Sequence, residues 1–239
     1  MGASALSSDT LGSRSVAIGQ GSLTTQNLTT ATNTYNTAVG YGAGYATTTG
    51  THNTLLGGES GDALTVGNAN VAVGFRTLSG DTKGDRNVAI GYEALLNQNF
   101  TTSTDSYNVA VGYIAGQQIT TGVQNTILGA LAGDALTTGN YNVALGTQAL
   151  SADTLGSRST AIGMNALAAQ NFTTATDVYN VAVGQGAGGS VSTGKFHTLI
   201  GGLAGAAVST GDENTGIGYQ ALGSEDSGGA NVAVGQYAM

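Results

Sequence analysis

The chain has no cysteine, no proline and no tryptophan, and only 8% of its 239 residues are charged. Without cysteine there is neither a disulfide nor a thiolate metal site, so packing and hydrogen bonds must hold the fold. Basic residues number 6 against 14 acidic ones, a formal net charge of -8 at pH 7. So few Lys and Arg cannot build the positive patch that phosphate backbones or anionic membrane surfaces attract, and we expect neither nucleic-acid binding nor membrane insertion. No run approaches the roughly 18–20 apolar residues of a membrane-spanning helix. The opening MGASALSSDT lacks the basic and apolar regions of a secretory signal, so neither a leader nor an anchor is expected from it.

Glycine is abundant, at 40 residues. It lacks the three-residue period of collagen, and Val, Ile and Leu recur too regularly for a flexible linker. The recurrence is a five-residue phrase: Asn or Ser, then Val or Thr, a small residue, an aliphatic residue and Gly. It appears as SVAIG at 15–19, NTAVG at 36–40, NTLLG at 53–57 and NVAVG at 70–74, and onward to NVAVG at 231–235, thirteen times in all. The closing glycines Gly19, Gly40, Gly57, Gly74 and Gly91 are spaced 21, 17, 17 and 17 residues apart, and this series recurs with a superperiod of 72. Superrepeats therefore run over about 6–77, 78–149 and 150–221, with a partial one at 222–239.

Short apolar strands bounded by glycine cannot bury their faces alone, whereas coils stacked about 4.8 Å apart can bury a continuous core. The pattern predicts an all-β chain: a parallel β-solenoid, or β-roll, of about thirteen short coils forming a single domain over 1–239. Alternation within the phrase sets Val16 and Ile18 on one face and Ala17 on the other. We expect the aliphatic register, Val16, Ile18, Val39, Val73, Ile90, Val111, Ile162 and Val183, to point inward. The small register, Ala17, Ala38, Ala72, Ala110 and Ala144, with Leu55, Ile127 and Leu199 as apolar knobs, is then expected at a subunit interface. Asn heads ten of the thirteen phrases and should stack as a hydrogen-bonded ladder. Seven residues before each closing Gly, the 17-residue coils carry Gly50, Gly67, Gly84 and their equivalents, where the long coils have Asn33, Asp105 and Asp177. This reads as a turn with positive φ.

These repeats resemble the head repeats of trimeric autotransporter adhesins, whose signature is close to SVAIG, and more closely the related repeats of phage tail fibres. The likeness covers roughly residues 6–239. It implies a left-handed parallel β-roll in each subunit, three rolls packed around a long axis, and attachment to a host or surface. The repeats here are longer than those of the adhesins. The coiled-coil stalk and membrane anchor of the adhesins, and the terminal chaperone of many fibres, are not recognised in the sequence. Partners implied are two further copies of the chain, other virion or fibre proteins and a cell-surface glycan. The location implied is a virion appendage or an extracellular surface.

Other motifs read as structural. GYGAG at 40–44 lacks the following helix of a dinucleotide fingerprint. The only histidines, His52 and His197, occupy non-equivalent positions, and no catalytic constellation, cofactor or metal site is expected. The extra residues of the long coils are the candidate contact loops, QNLTTATNTY at 26–35, QNFTTSTDSY at 98–107 and QNFTTATDVY at 170–179. Insertions in solenoids map to one face and often bind, which singles out Leu28, Tyr35, Phe100, Tyr107, Phe172 and Tyr179. A passive shaft or capsid decoration protein is the competing reading. An ice-binding solenoid is a third, disfavoured because the Thr pairs crowd into loops.

Overall fold

The computed structural model of the chain describes every residue except Met1 and Glu225. It is all-β: the described residues contain no helix, and about thirteen turns of a parallel β-solenoid follow the spacing of the repeated phrase. Two compact units make up the chain, Met1–Val123 and Gln124–Met239.

In the first unit the six copies of the phrase form three-residue strands, Val16–Ile18, Thr37–Val39, Thr54–Leu56, Val71–Val73, Val88–Ile90 and Val109–Val111. Each pairs in parallel with the next at equivalent positions, as in Ala38 with Leu55 and Ala72 with Ala89. The second unit repeats this with seven strands, from Thr126–Leu128 to Val232–Val234. Two-residue strands pair on a second side of the long coils, as Gly84–Asp85 does with Thr104–Asp105. That register sets Asp105 opposite Asp85, and Thr104 opposite Gly84. The long coil therefore carries one of its extra residues, Ser106, as a buried insertion just before Tyr107.

The two faces of the strands are the reverse of the sequence expectation. Ala38, Leu55, Ala72, Ala110, Ile127, Ala144 and Leu199 are fully buried inside their own chain, and Ala17, in the first strand, is half-buried. They form the core and cannot face a second subunit. The aliphatic register points outward: Val16 is 45% exposed, Ile18 49% and Ile90 36%, with Val39, Val73, Val111, Ile162 and Val183 half-buried. The cause is the narrowness of the coil. The turn position and the strand position share each cross-section, and their volumes compensate. Coils with Leu78 or Leu95 have Ala89 or Ala110 in the strand, whereas Gly44 accompanies Leu55 and Gly188 accompanies Leu199. A Cβ on Gly44 would lie 2.7 Å from Leu55 Cδ1 and 2.9 Å from Leu23 Cδ2. A close-packed interior of this width has no room for two β-branched columns as well.

The turn glycines also serve another purpose than expected. Gly50, Gly67, Gly84, Gly139 and Gly156 do not adopt positive φ. They are glycine because of close approach: a Cβ on Gly50 would sit 2.4 Å from the carbonyl oxygen of Gly67 in the next coil. Closing glycines meet both demands, as at Gly74, with φ +133° and a Cβ position 1.8 Å from the Gly91 carbonyl oxygen.

The Asn ladder forms as expected. Asn53 N–H donates to Asn36 Oδ1 at 2.9 Å, and Asn70 N–H to Asn53 Oδ1 at 3.0 Å. Where a 17-residue coil follows, the amide Nδ2 donates to its turn glycine, as from Asn36 to Gly50 O at 2.7 Å and from Asn53 to Gly67 O at 2.8 Å, whereas Asn87 Nδ2, ahead of a long coil, donates back to Asn70 Oδ1 at 3.1 Å. In the second unit His197 takes a rung: its N–H donates to Asn180 Oδ1 at 2.9 Å, and its Nδ1 accepts from Asn214 N–H at 3.2 Å. That acceptor role places the proton of the neutral ring on Nε2, which is buried on the side of the Gly211 backbone without a well-formed hydrogen bond.

Candidate functional site

Immediately before each ladder residue the chain takes a left-handed conformation. In the first unit this column reads Arg14, Tyr35, His52, Ala69, Arg86 and Tyr107, with φ between 49° and 64°. The conformation is costly for side chains that are not glycine. It is held by the rungs beneath and by parallel bonds between coils, such as His52 N–H to Thr34 O at 2.7 Å. The result is a row of side chains aimed into solvent.

Within that row the side chains stack. Arg14 lies 5.4 Å from the ring centre of Tyr35 and donates to its hydroxyl at 2.5 Å, while Tyr35 stacks on His52 at 5.3 Å. Arg86 lies 5.6 Å from the ring of Tyr107 and pairs with Asp105. In the second unit Arg158 sits between Tyr141 and Tyr179, at 4.8 and 5.6 Å, and its Nε is 3.0 Å from Asp177 Oδ1. That carboxylate holds the Arg158 pKa above its ordinary value. Tyr179 in turn stacks on Phe196 at 6.1 Å. A second exposed aromatic stack, Phe75, Tyr92 and Tyr113, follows the closing glycines, with ring centres 5.7 and 5.4 Å apart.

The six candidate contact residues thus divide. Tyr35, Tyr107 and Tyr179 are exposed in this column, but Leu28, Phe100 and Phe172 are buried and do not present themselves to a ligand. They turn inward because a buried carboxylate gathers the loop backbone: Asp81 Oδ1 accepts the N–H groups of Gly84 at 3.0 Å and Phe100 at 3.2 Å. Its Oδ2 accepts from Gln98 Nε2 at 2.7 Å, and Gln98 Oε1 accepts from Asn108 Nδ2 at 2.8 Å, which ties the clamp to the ladder. Asp153, Gln170 and Asn180 repeat the arrangement. Asp9 and Gln26 form its first copy. Burial pushes the Asp81 and Asp153 carboxyls up, with these hydrogen bonds pulling the other way. The signal in the sequence is an Asp followed 17 residues later by Gln, once per superrepeat.

Among the described residues no group of three His, Cys, Asp or Glu is placed to hold a metal ion, and no helix is long and apolar enough to cross a membrane. His52 is an exposed member of the aromatic column and His197 a buried rung. Comparison of the chain with known protein families, with curated proteins and with solved structures finds no match. The surface geometry therefore carries the functional reading: in each unit, stacked aromatic and guanidinium groups along a corner and a regular aliphatic face on the sheet.

Proposed function

We propose that this chain is a structural module of a virion fibre or similar extracellular appendage, and that it works as a homotrimer packed through the outward face of its sheet. The observation that carries the reading is the aliphatic register on that face. Twelve side chains in the first unit and fourteen in the second, all Val, Ile, Leu or Thr, stand outward in two columns. A protein interface of standard size takes roughly 20–30 residues a side, and exposed apolar surface of such regularity marks association rather than solvation. The face is the same in every coil, so its natural complement is another copy of itself. Three copies is the number that the resemblance to fibre and adhesin repeats implies. Sedimentation of the intact chain over a wide concentration range tests this. A single species of three chains is expected, and a monomer at every concentration contradicts the reading.

A second role, attachment to a cell-surface glycan, is supported by Tyr35, Tyr107 and Tyr179. An exposed ring beside arginine, joined by a carboxylate at Tyr107 and Tyr179, suits the apolar face and hydroxyls of a sugar, and three weak sites per chain gain from multiplicity. Replacing all three tyrosines by alanine is expected to abolish binding on a glycan array while leaving the fold intact. A glycan bound equally by that variant removes the second role, and a chain that binds no glycan is a passive shaft.

A further inference from the structure

A cleft of about 370 Å³ opens on the first unit, lined among others by Gly21, Gly42, Tyr41, Tyr45, Glu59 and Asp62. It owes its existence to two consecutive coils that lack a side chain at the second position after the closing glycine. The next two coils carry Glu59 and Arg76 at that position, with φ of 54° and 53°, close to the 65° of Gly42. Backbone conformation therefore does not demand glycine. Nor does packing: a Cβ on Gly42 would meet only Glu59 Cγ at 3.8 Å, and one on Gly21 would meet Tyr45 Cδ2 at 3.5 Å, both ordinary contacts.

The equivalent opening in the second unit makes the contrast. Gly186 lines a cleft of about 450 Å³ with Gln185, Leu203 and Ala206, and no aromatic or charged residue lines it. There a Cβ would lie 2.8 Å from Leu203 Cδ2, so a leucine side chain already occupies the space beside the glycine. The first cleft has a different chemistry. Tyr41 and Tyr45 are 62% and 51% exposed, two carboxylates accompany them, and none of its lining residues is Lys, Arg or His. Glu59 shares Arg76 Nε at 3.5 Å, and Asp62 accepts from the Ser79 hydroxyl, so both carboxylates are held in place.

We propose that this cleft binds an organic ammonium group, primary or quaternary, between the tyrosine faces and the two carboxylates. A cation gains from the negative face of an aromatic ring and from the carboxylate of Asp62, whose hydrogen-bond donor is the neutral Ser79 hydroxyl, whereas Glu59 is already paired with Arg76. The two sources of the chemistry are a choline-type head group and a lysine-type or amino-sugar amine.

The test is titration of the intact chain with choline, with Nα-acetyl-lysine amide and with glucosamine, using glucose as the uncharged control and following the tyrosine ring signals by NMR. Saturable shifts of Tyr41 and Tyr45 are expected with at least one amine and not with glucose, weakening as salt rises. Choline alone identifies a quaternary site, and the lysine amide or glucosamine alone a primary one. Gly42→Leu, which puts at this position the residue that Leu203 supplies in the second unit, should abolish the shifts. Tyr41→Ala, a surface change, should weaken binding by roughly tenfold. Absence of saturable shifts with all three amines, equal binding of glucose, or unaltered binding in folded Tyr41→Ala overturns the proposal.

Discussion

The inward and outward faces of the strands are built from the same phrase and differ in what limits them. The inward middle residue is limited by volume. Ala72, Ala89 and Ala110 recur because the coil is narrow, and a larger Leu55 is admitted only where Gly44 gives way to it. The outward residues face no such limit: Val71 and Val73, Val88 and Ile90, Val109 and Val111 are aliphatic although water reaches them, and other strands differ only in starting with a β-branched Thr, as at Thr37 and Thr54. Uniform bulk where nothing in the chain demands it is what a surface meant for another molecule requires. On the proposed reading the inner face answers for folding and the outer face for association.

The comparison is broken most forcefully by charge on the inner face. Ala110→Asp places a carboxylate in a fully buried position with no partner, and we expect a loss of about 3–5 kcal/mol, with unfolding of the neighbouring coils seen by circular dichroism. Volume compensation is a subtler test. Leu55→Ala should cost about 2–5 kcal/mol, and Gly44→Leu alone should be destabilising through overpacking. The double variant re-creates the pairing seen at Leu78 and Ala89, where Leu78 holds φ 53° at the equivalent turn, so stability should largely return. Strictly additive losses in denaturant melts would refute the shared cross-section.

The length of the phrase, its spacing and its ladder were legible in the sequence because glycine and asparagine meet backbone requirements that recur in every coil. The inward face was not. Alternation assigns Val111 and Ala110 to opposite faces without saying which is inside, and small residues suit both a narrow core and a close interface. The deciding signal was compensation: a large middle residue, Leu55, Ile127 or Leu199, occurs only in a coil that carries Gly44, Gly116 or Gly188. Positions that trade volume share one interior. The contact loops misled for a related reason. Phe100 and Phe172 read as exposed aromatics, because nothing local reveals that Asp81 and Asp153, about 19 residues earlier in each case, draw their N–H groups inward.

The loop clamps give the next effect in size. Asp153→Asn turns an amide toward the Gln170 donor and should cost about 1–3 kcal/mol. The effect should appear as faster hydrogen exchange at Phe172, with the strands less affected. The smallest effect belongs to His197. Burial holds its pKa below the usual 6.5, so the unfolded chain takes up the proton first. Stability from this group is present above about pH 6.5 and is lost as the pH falls toward the folded-state value. His197→Asn should restore a regular rung, raise stability by about 1 kcal/mol at neutral pH and flatten that acid loss. An unchanged difference between the two proteins from pH 7 to pH 5 would contradict the assignment.

The division of labour between the two faces is tested most directly by the outward neighbour of Ala110. Val111→Asp should leave the β-sheet signal intact, with a melting transition close to that of a dissociated wild-type chain. Light scattering should fall from the mass of three chains to that of one. Unfolding of Val111→Asp to the same extent as Ala110→Asp would put the aliphatic register back inside the coil. A folded Val111→Asp particle with the wild-type mass would remove the outer face from association.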